Sequence, residues 1–539
     1  MKKMTIGQST LNHEWSPMKN KPNETDHKFT FDFHEQKSIP ALAWLAHLKK
    51  KESTIAIYHG AWVETAPDFF VEGAWPGKFI EGKFDESDVF FGSGGRLLSD
   101  QSVVFSTPTH KWEKLFLIKK DSEIFISNSI VFLLIKSGCQ LDENYGKYNE
   151  GLWTIKNGIR SYVKQMPLKA GHHLHLYYHR NVVINDDLSV SESFKRDPDD
   201  AHFKNFNSYK NFLDDRTAGV FNNAEDTNRK IKYSPITTLS TGYDSACSSV
   251  FARRNGCEDA LTFSNNGGID SGAEIAKKLS LKITEIDKMD YLQSDRKFIE
   301  GEVLSAGFAS AGLYILSLEK YLKARILVTG YYGGHIWNMD NDFNNNQLKT
   351  LWTDGSAYTE FRLRAGFIHF ILPSMGATKD PLVKAISYSD EMKKWSNGSE
   401  NYDRPIPTRI LTEENVPRHL FGQQKKASGV FNLTNKKPKR KTSSKKEKFI
   451  IKIKHLIPEK QRSIIRNQLM VFQNLKEKLL SHISKTHVIK SEIEKISSAL
   501  SRDSENDLYQ FLKKNKNVSF STGKFIWGIE KAKQNYCIK

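Results

Sequence analysis

The feature that most constrains the fold is a repeated alternation of short apolar runs and helical runs between residues 235 and 330. Ile236 to Leu239 are aliphatic or β-branched, as a buried strand requires, and a helical run follows them. The order recurs, with strands predicted over 260–264, 283–286 and 325–330 and helices predicted over 270–281 and 303–322. Strands that alternate with helices predict a doubly wound parallel α/β sheet, which binds ligands at the carboxyl ends of its strands.

The first predicted strand breaks into a loop of small residues, Ser240-Thr-Gly-Tyr-Asp-Ser245, and a helix is predicted over 246–254. Gly242 allows backbone angles that are closed to other residues. Asp244 and Ser245 open the helix at its N-terminus, where N–H groups and the helix dipole favour an anion, most often phosphate. An ordinary strand–turn–helix with Asp244 as the N-cap is the alternative interpretation.

The loop resembles the Ser-Gly-Gly-x-Asp-Ser pyrophosphate loop of the ATP pyrophosphatases, the group that contains the synthetase domain of asparagine synthetase. The resemblance covers roughly residues 90 to 430. After the loop it continues through Thr262 to Ser264, Asp270 with Ala273 and Ala276, Val328 to Gly330, Tyr402 to Ile406, and Phe421 to Ala427. Upstream, Phe125 to Leu134 is similar to part of the sheet-rich, Ntn-hydrolase-type glutaminase domain of that family.

Two parts are implied by this resemblance: a degenerate glutaminase-like domain over 1–205, and a synthetase domain of the pyrophosphate-loop (adenine nucleotide alpha hydrolase-like) type over 206–432. Charge and amphipathic stretches predict a third part, a basic, mainly helical extension over 433–539. From Thr434 onward there are 26 Lys and Arg against 9 Asp and Glu, so this region carries nearly all of the formal net charge of +18. Such a charge predicts contact with an anionic partner, and glycan, nucleic acid and lipid headgroups remain open.

The implied chemistry is activation of a carboxylate by ATP, which releases pyrophosphate and leaves an acyl adenylate that an amine attacks. Ser240, Thr241 and Gly242 would cradle the pyrophosphate with N–H and hydroxyl donors. Asp244 would hold a Mg²⁺ ion that bridges the phosphates, because hard oxygen ligands suit that ion. Ser245 would add a hydroxyl at the start of the helix.

Further roles follow from the same resemblance. Lys425 would neutralise charge that develops at the α-phosphate, with Lys426 as the adjacent alternative and a solvated basic turn as the plain interpretation of both. Thr262 and Ser264 would contact the ribose or the adenine. Gly330 ends the fourth strand at the same edge of the sheet.

One departure from the family concerns nitrogen supply. A glutaminase of this type uses a cysteine at the first position of the mature chain, whereas the first cysteine here is Cys139. An N-terminal nucleophile uses its own amine as the base, so an internal cysteine cannot substitute for it. We therefore expect no glutaminase activity, and the amine would come from free ammonia, from a separate glutaminase or from the substrate itself.

A second departure is the turn Thr329-Gly-Tyr-Tyr-Gly-Gly-His335, which has no carboxylate where asparagine synthetases have acidic ligands for magnesium and ATP. Tyr331 resembles a variant turn of β-lactam synthetases, in which a tyrosine works with a glutamate in proton abstraction. Glu360 lies at about the right distance along the sequence from Tyr331 to be that glutamate. The alternative is that Glu360 is an ordinary exposed glutamate without a role in the site. Thr241 also replaces the first loop glycine and cannot adopt a positive φ cheaply.

Three functions stay open at this stage. The first is an AMP-forming amide or amidine synthetase without its own glutaminase. The second is a relative that binds nucleotide or protein without catalysis, which the missing acidic turn favours. The third is a tRNA-modifying enzyme, because other pyrophosphate-loop proteins act on tRNA and the C-terminal region is basic.

Composition limits the setting. No apolar run approaches the length of a membrane span and no signal-peptide pattern opens the chain. The four cysteines show neither metal spacing nor disulfide density, so we expect a cytoplasmic protein. His173 and His175 would share one strand face, as metal ligands do, but the alternating residues around them are typical of a half-buried strand.

Overall fold

The structure, a computed structural model, has a mixed α/β architecture with a sheet-rich N-terminal part and a five-stranded parallel sheet. It describes residues 29–98, 102–264, 270–307, 310–339, 347–350, 358–399, 402–423, 493, 496–515 and 518–537. Lys425 and Lys426 lie outside the described residues, as does most of the basic region before residue 496.

The N-terminal part is built mainly of strands. Its elements are β1 (Thr30–Glu35), β2 (Trp44–Lys49), β3 (Thr54–His59), β4 (Glu64–Thr65), β5 (Phe69–Ala74), β6 (Phe91–Leu97), β7 (Val103–Ser106), β8 (Leu115–Lys120), β9 (Glu123–Ser127), α1 (Ile130–Ser137), α2 (Tyr148–Trp153), β10 (Gln165–Pro167), β11 (His173–Tyr177), β12 (Arg180–Ile184) and β13 (Val190–Phe194). They form a seven-stranded sheet ordered β1-β3-β2-β9-β8-β11-β10 and a six-stranded sheet ordered β13-β12-β7-β6-β5-β4.

These two sheets face each other across an apolar core. Trp44 and Ile57 of the seven-stranded sheet meet Phe70, Phe105 and Val182 of the six-stranded sheet there. The period of two in β3, where alternate residues are buried, is what a strand with one face on a core requires. The prediction of a sheet-rich region ahead of the parallel sheet is confirmed, and its kinship with a glutaminase domain stays a prediction.

The second part contains the parallel sheet. Its elements are α3 (Phe206–Ala224), β14 (Ser234–Thr238), α4 (Tyr243–Arg254), β15 (Asp259–Ser264), α5 (Ala273–Lys278), β16 (Lys282–Asp287), α6 (Glu300–Leu304), α7 (Glu319–Leu322), β17 (Arg325–Thr329), α8 (Gly333–Ile336), α9 (Thr359–Ala365), β18 (Phe367–Ile371), α10 (Asp380–Tyr388) and α11 (Pro405–Glu413). The strand order is β16-β15-β14-β17-β18, with every neighbouring pair parallel. The four strands predicted from the sequence are confirmed.

Both faces of the parallel sheet are covered. Ile326 and Val328 of β17 pack into the core that contains α3 and α4, while Leu327 between them packs into a second core with α9. Burial on both faces explains why these strands read as continuous apolar runs rather than as alternating patterns. The prediction of a parallel sheet between helical layers is therefore confirmed.

Two predicted helices differ from the structure. The single helix expected over 303–322 is wrong, because α6 ends at Leu304 and a 3-10 helix over Ser310–Leu318 precedes α7. Gly307 stands between them with a φ of +80°, a left-handed conformation that ends an α-helix. The helix expected over 270–281 is confined to α5, and Ser280 just after it has a positive φ of 53°.

Two helices near the C-terminus, α12 (Arg502–Lys514) and α13 (Phe520–Ala532), pack onto the parallel-sheet part. The buried carboxylate of Glu300 accepts hydrogen bonds from the Ser501 amide (2.6 Å) and the Ser504 hydroxyl (2.7 Å) at the start of α12. These groups satisfy the N-terminus of α12, where a negative charge is favourable. The described part of the C-terminal region is thus helical, while the three domain boundaries stay predictions.

Among the helices of the described ranges, none combines the length and the apolar content that crossing a bilayer demands.

Candidate functional site

The Ser240–Ser245 loop leaves the carboxyl end of β14, and the turn that begins at Gly330 leaves the carboxyl end of β17. These two strands are neighbours in the sheet. On one side of this pair, β15 and then β16 lie next to β14, and on the other side β18 lies next to β17. The strand order reverses between them, and parallel sheets open a ligand crevice at such a switch point. The fold therefore brings these two predicted elements together.

The loop is held in shape by its own serine hydroxyls. The Ser240 amide donates to the Ser245 Oγ at 3.1 Å, and the two serine Oγ atoms lie 2.8 Å apart. The Gly242 amide donates to the Ser240 Oγ at 3.2 Å. These residues are half-buried, so the loop is pre-organised and still reaches the surface at the sheet edge.

The start of α4 corrects two details of the sequence interpretation. Gly242 is the N-cap, with φ −75° and ψ 152°, and no side chain caps the helix. This is ordinary extended backbone, so the loop does not use the conformational freedom of Gly242, and Asp244 is not the N-cap. Thr241 is not among the described residues with a positive φ, so its replacement of a glycine causes no backbone strain there.

Thr241 joins the loop to two distant segments. Its hydroxyl donates to the Asp270 Oδ1 at 2.7 Å, and its carbonyl accepts from the Gly422 amide at 2.8 Å. The Arg418 Nη2 donates to the hydroxyl of Tyr243, next in the chain to Gly242, at 2.5 Å. The late motif that begins at Phe421 is thus brought to the loop, whereas Lys425 and Lys426 lie outside the described residues.

The turn after β17 lies directly against the first turn of α4. A Cβ added at Gly330 would be 2.2 Å from the Asp244 carbonyl carbon and 2.3 Å from the Ser245 nitrogen. A Cβ at Gly333 would be 2.6 Å from the Asp244 Cγ. Gly330 needs to be glycine because its Cβ would meet backbone atoms, whereas a Cβ at Gly333 would displace the side chain of Asp244. The turn and the helix start therefore form one unit.

Arg404 is the functional candidate that the sequence interpretation missed. Its Nη1 pairs with the Asp244 Oδ1, and its side chain is only 6% exposed against 24% for Asp244. The segment Tyr402 to Ile406 was singled out for its resemblance alone. The arginine within this segment is visible in the sequence, but no local pattern shows which carboxylate Arg404 would pair with.

Thr262 and Ser264 stand at the end of β15, on the same edge of the sheet. The Thr262 Oγ1 accepts a hydrogen bond from the Gly272 amide at 3.1 Å, and the Ser264 Oγ donates to the Ile286 carbonyl at 3.2 Å. Both hydroxyls therefore already serve the local structure. Their contacts with a ribose or an adenine stay predictions.

Glu360 is not an exposed glutamate: it is buried at 2% exposure. Its Oε1 accepts from the Ser129 hydroxyl at 2.8 Å and its Oε2 accepts from the Tyr536 hydroxyl at 2.6 Å. Burial raises the pKa of Glu360 to about 7, against the opposing effect of these hydrogen bonds. The ring of Tyr331, its suggested partner in proton abstraction, stands edge-on to Trp112 with centroids 5.7 Å apart. That joint role stays a prediction.

The histidines and cysteines of the described ranges were candidates for a metal centre. Within the described ranges, no group of three or more His, Cys, Asp or Glu side chains is arranged to hold a metal ion. His173 and His175 lie on β11, and burial lowers the pKa of His175, as expected for a half-buried strand. Cys247 is fully buried in α4, where burial raises the pKa of its thiol and makes it a core residue.

No protein-family model matches the chain, and no curated protein matches it either. The features that indicate a function are therefore the geometry of the switch point and the motifs gathered there.

Proposed function

We propose that the chain binds ATP at the switch point of its parallel sheet and acts as an AMP-forming amide-bond synthetase. It would activate a small-molecule carboxylate as an acyl adenylate, which ammonia or an amine then attacks. The observation that carries the proposal is the reversal of strand order between β14 and β17, with a hydroxyl-rich loop on one side and a glycine turn on the other. The proposal includes a pyrophosphate-loop sheet and a degenerate Ntn-type first part.

The chain's own groups support the handling of a triphosphate. Ser240, Thr241 and Ser245 supply hydroxyls beside the N-terminus of α4, a helix of 12 residues whose dipole favours negative charge. Gly422 ties the segment that leads to Lys425 onto Thr241. Because an internal Cys139 cannot replace an N-terminal nucleophile, ammonia would come from solution or from a separate glutaminase.

Among the residues that the structure describes, the carboxylates at the loop do not fit the implied Mg²⁺ as a resident ion. Asp244 already accepts from the guanidinium of Arg404, and Asp270 accepts from the Thr241 hydroxyl. Mg²⁺ demands near-octahedral oxygen ligands and is commonly held by one or two carboxylates together with substrate phosphates. In this proposal the ion arrives on ATP itself, and no step of the reaction is assigned to it.

Isotope exchange between pyrophosphate and ATP tests the proposal, because formation of the acyl adenylate is reversible. When no amine is present to attack the adenylate, its reaction with labelled pyrophosphate returns labelled ATP. Full-length protein with Mg²⁺ and ATP is expected to incorporate labelled pyrophosphate into ATP in the presence of one class of carboxylic acid. Lys425→Ala is expected to abolish the exchange. Lys282→Ala, which removes an exposed lysine that pairs with Glu258, is the control and is expected to leave the exchange within about twofold. Loss of exchange in Lys426→Ala alone would assign the role to the adjacent alternative, Lys426. Binding of ATP without exchange across a broad panel of acids contradicts the synthetase.

One alternative has support of its own. A nucleotide-binding relative without catalysis is favoured by the turn over 329–335, which has no carboxylate, and by the pairing of Asp244 with Arg404. It predicts ATP binding with neither pyrophosphate exchange nor AMP formation. The same exchange assay, combined with calorimetry of ATP binding, separates the two functions.

A further inference from the structure

Arg404 is held rigidly at the edge of the candidate site. It is the N-cap residue of α11, and its carbonyl accepts from both the amide (3.0 Å) and the hydroxyl (2.9 Å) of Thr408. The guanidinium carbon lies 5.0 Å from the ring centroid of Tyr402 and 5.9 Å from that of Tyr243. The two rings stand next to each other, with centroids 4.9 Å apart, so both lie on one side of the guanidinium. A planar cation held in this way loses little further freedom when it binds an anion.

The guanidinium has donor capacity that no described residue uses. Its Nη1 is engaged by Asp244, while its Nε is buried and has no hydrogen-bond partner within the described part of the chain. The turn approaches it closely, because a Cβ added at Gly334 would be 3.1 Å from the Nη2. A buried donor without an acceptor is costly, so an anion that reaches this fork gains the missing hydrogen bond.

Asp244 is therefore already neutralised by a protein cation at the position where the resemblance implies a metal ion. Asp270, the other carboxylate bonded to the loop, is occupied by Thr241. Two carboxylates with these partners do not make a resident Mg²⁺ site, whereas an arginine beside a helix N-terminus makes an anion site with no metal.

We propose that the guanidinium of Arg404 takes the place of the metal ion at Asp244 and binds the phosphates of the nucleotide directly. Nucleotide binding then does not depend on a divalent cation. This inference rests on the proposed ATP site, but it concerns only how the phosphates are held, and not whether chemistry follows.

Calorimetry of ATP binding to the full-length protein, in excess EDTA and in excess Mg²⁺, tests the inference. The dissociation constants are expected to agree within about threefold, because the guanidinium and not the ion neutralises the phosphates. Arg404→Lys keeps the charge and the ion pair but loses the planar fork, and it is expected to weaken binding in EDTA by about tenfold. Arg409→Lys on the same helix, whose guanidinium pairs with Glu391 and Glu413, is the matched control and should bind like the wild type.

Asp244→Asn is expected to change the affinity for ATP in opposite directions, depending on whether Arg404 or a Mg²⁺ ion at Asp244 holds the phosphates. If Arg404 holds the phosphates, removal of the nearby negative charge tightens binding in EDTA by about threefold or more. If Asp244 holds a Mg²⁺ ion, the same substitution weakens binding in Mg²⁺.

ATP binding that requires Mg²⁺, or an Arg404→Lys protein that binds like the wild type in EDTA, overturns the inference and leaves the proposed function standing. ATP that binds in neither condition overturns the proposed function and the inference with it.

Discussion

Glu360 illustrates at the residue scale how burial changes a side chain's chemistry. Its carboxylate is enclosed with Ser129 and Tyr536, and burial raises its pKa from 4.5 to about 7. An acid whose pKa is higher in the folded state binds its proton more tightly there than in the unfolded chain. The free energy of unfolding that Glu360 contributes therefore falls as the pH rises from about 4.5 to about 7.

Substitution Glu360→Gln tests this linkage. Glutamine resembles the protonated acid, so the variant should gain stability relative to the wild type by about 2–3 kcal/mol between about pH 5 and about pH 8. Denaturant titration at both pH values measures the difference. The exposed Glu143, changed to Gln, is the control and should follow the wild type at both values. A Glu360→Gln protein whose stability relative to the wild type is the same at both pH values contradicts the assigned pKa.

At the scale of elements, the contact between the turn after β17 and the start of α4 decides the shape of the candidate site. The ends of two neighbouring strands, β14 and β17, are joined there through glycines rather than through side chains. The close approach places the carboxylate of Asp244 beneath the turn, where Arg404 reaches it from the start of α11. Local sequence patterns predict each strand and each helix, but they do not predict this contact between them.

The glycine contact leads to a matched pair of substitutions. Gly330→Ala is expected to destabilise the fold by about 1–3 kcal/mol or more, because the new Cβ would meet backbone atoms of Asp244 and Ser245. Gly242→Ala should cost less, since its φ is −75° and the nearest atom to a Cβ is the Ser240 Oγ at 3.3 Å. Thermal melting compares the two variants, and an equal loss of stability argues against the close contact at Gly330.

At the scale of the whole molecule, a buried charge network joins the first part to the parallel-sheet part. Arg362 of α9 donates to both carboxylate oxygens of Glu72 on β5, at 2.7 and 2.9 Å, and its Nε forms an ion pair with Glu113 at 2.7 Å. All three side chains are at most 7% exposed. Burial raises the pKa of Glu113 even beside the guanidinium, so this network depends on the arginine.

Arg362→Met should therefore lower the free energy of unfolding of the protein. Loss of the guanidinium leaves two buried carboxylates uncompensated, which costs about 3–5 kcal/mol near neutral pH. Part of that stability should return at acidic pH, where the carboxylates become protonated. Lys282→Met, which breaks an exposed ion pair with Glu258, is the control and should cost less than about 1 kcal/mol. Melting curves at two pH values measure both effects, and an Arg362→Met loss that does not lessen in acid contradicts this account.

Local sequence patterns predict the strands of the parallel sheet better than they predict its helices or the contacts between distant elements. The strands predicted at 236–239 and 260–264 lie within two residues of β14 and β15, because apolar runs between turn residues report burial directly. The prediction of one helix over 303–322 is wrong because it was based on the Ala, Leu and Tyr content of the segment and gave Gly307 too little weight. Gly307 has a left-handed backbone conformation, which interrupts the helix. The sequence of α12 and α13 does not indicate that the surface on which they dock is the parallel-sheet part.

By itself, the sequence determined the order of strands and helices and the loop that follows β14, since both are properties of neighbouring residues. Only the tertiary structure decided the partner of Asp244 and the surroundings of Glu360. Arg404 is 160 positions from Asp244, and Tyr536 is 176 positions from Glu360. Periodicity and spacing do not indicate which distant side chains come into contact, because those contacts are determined by how the layers of the fold pack against each other.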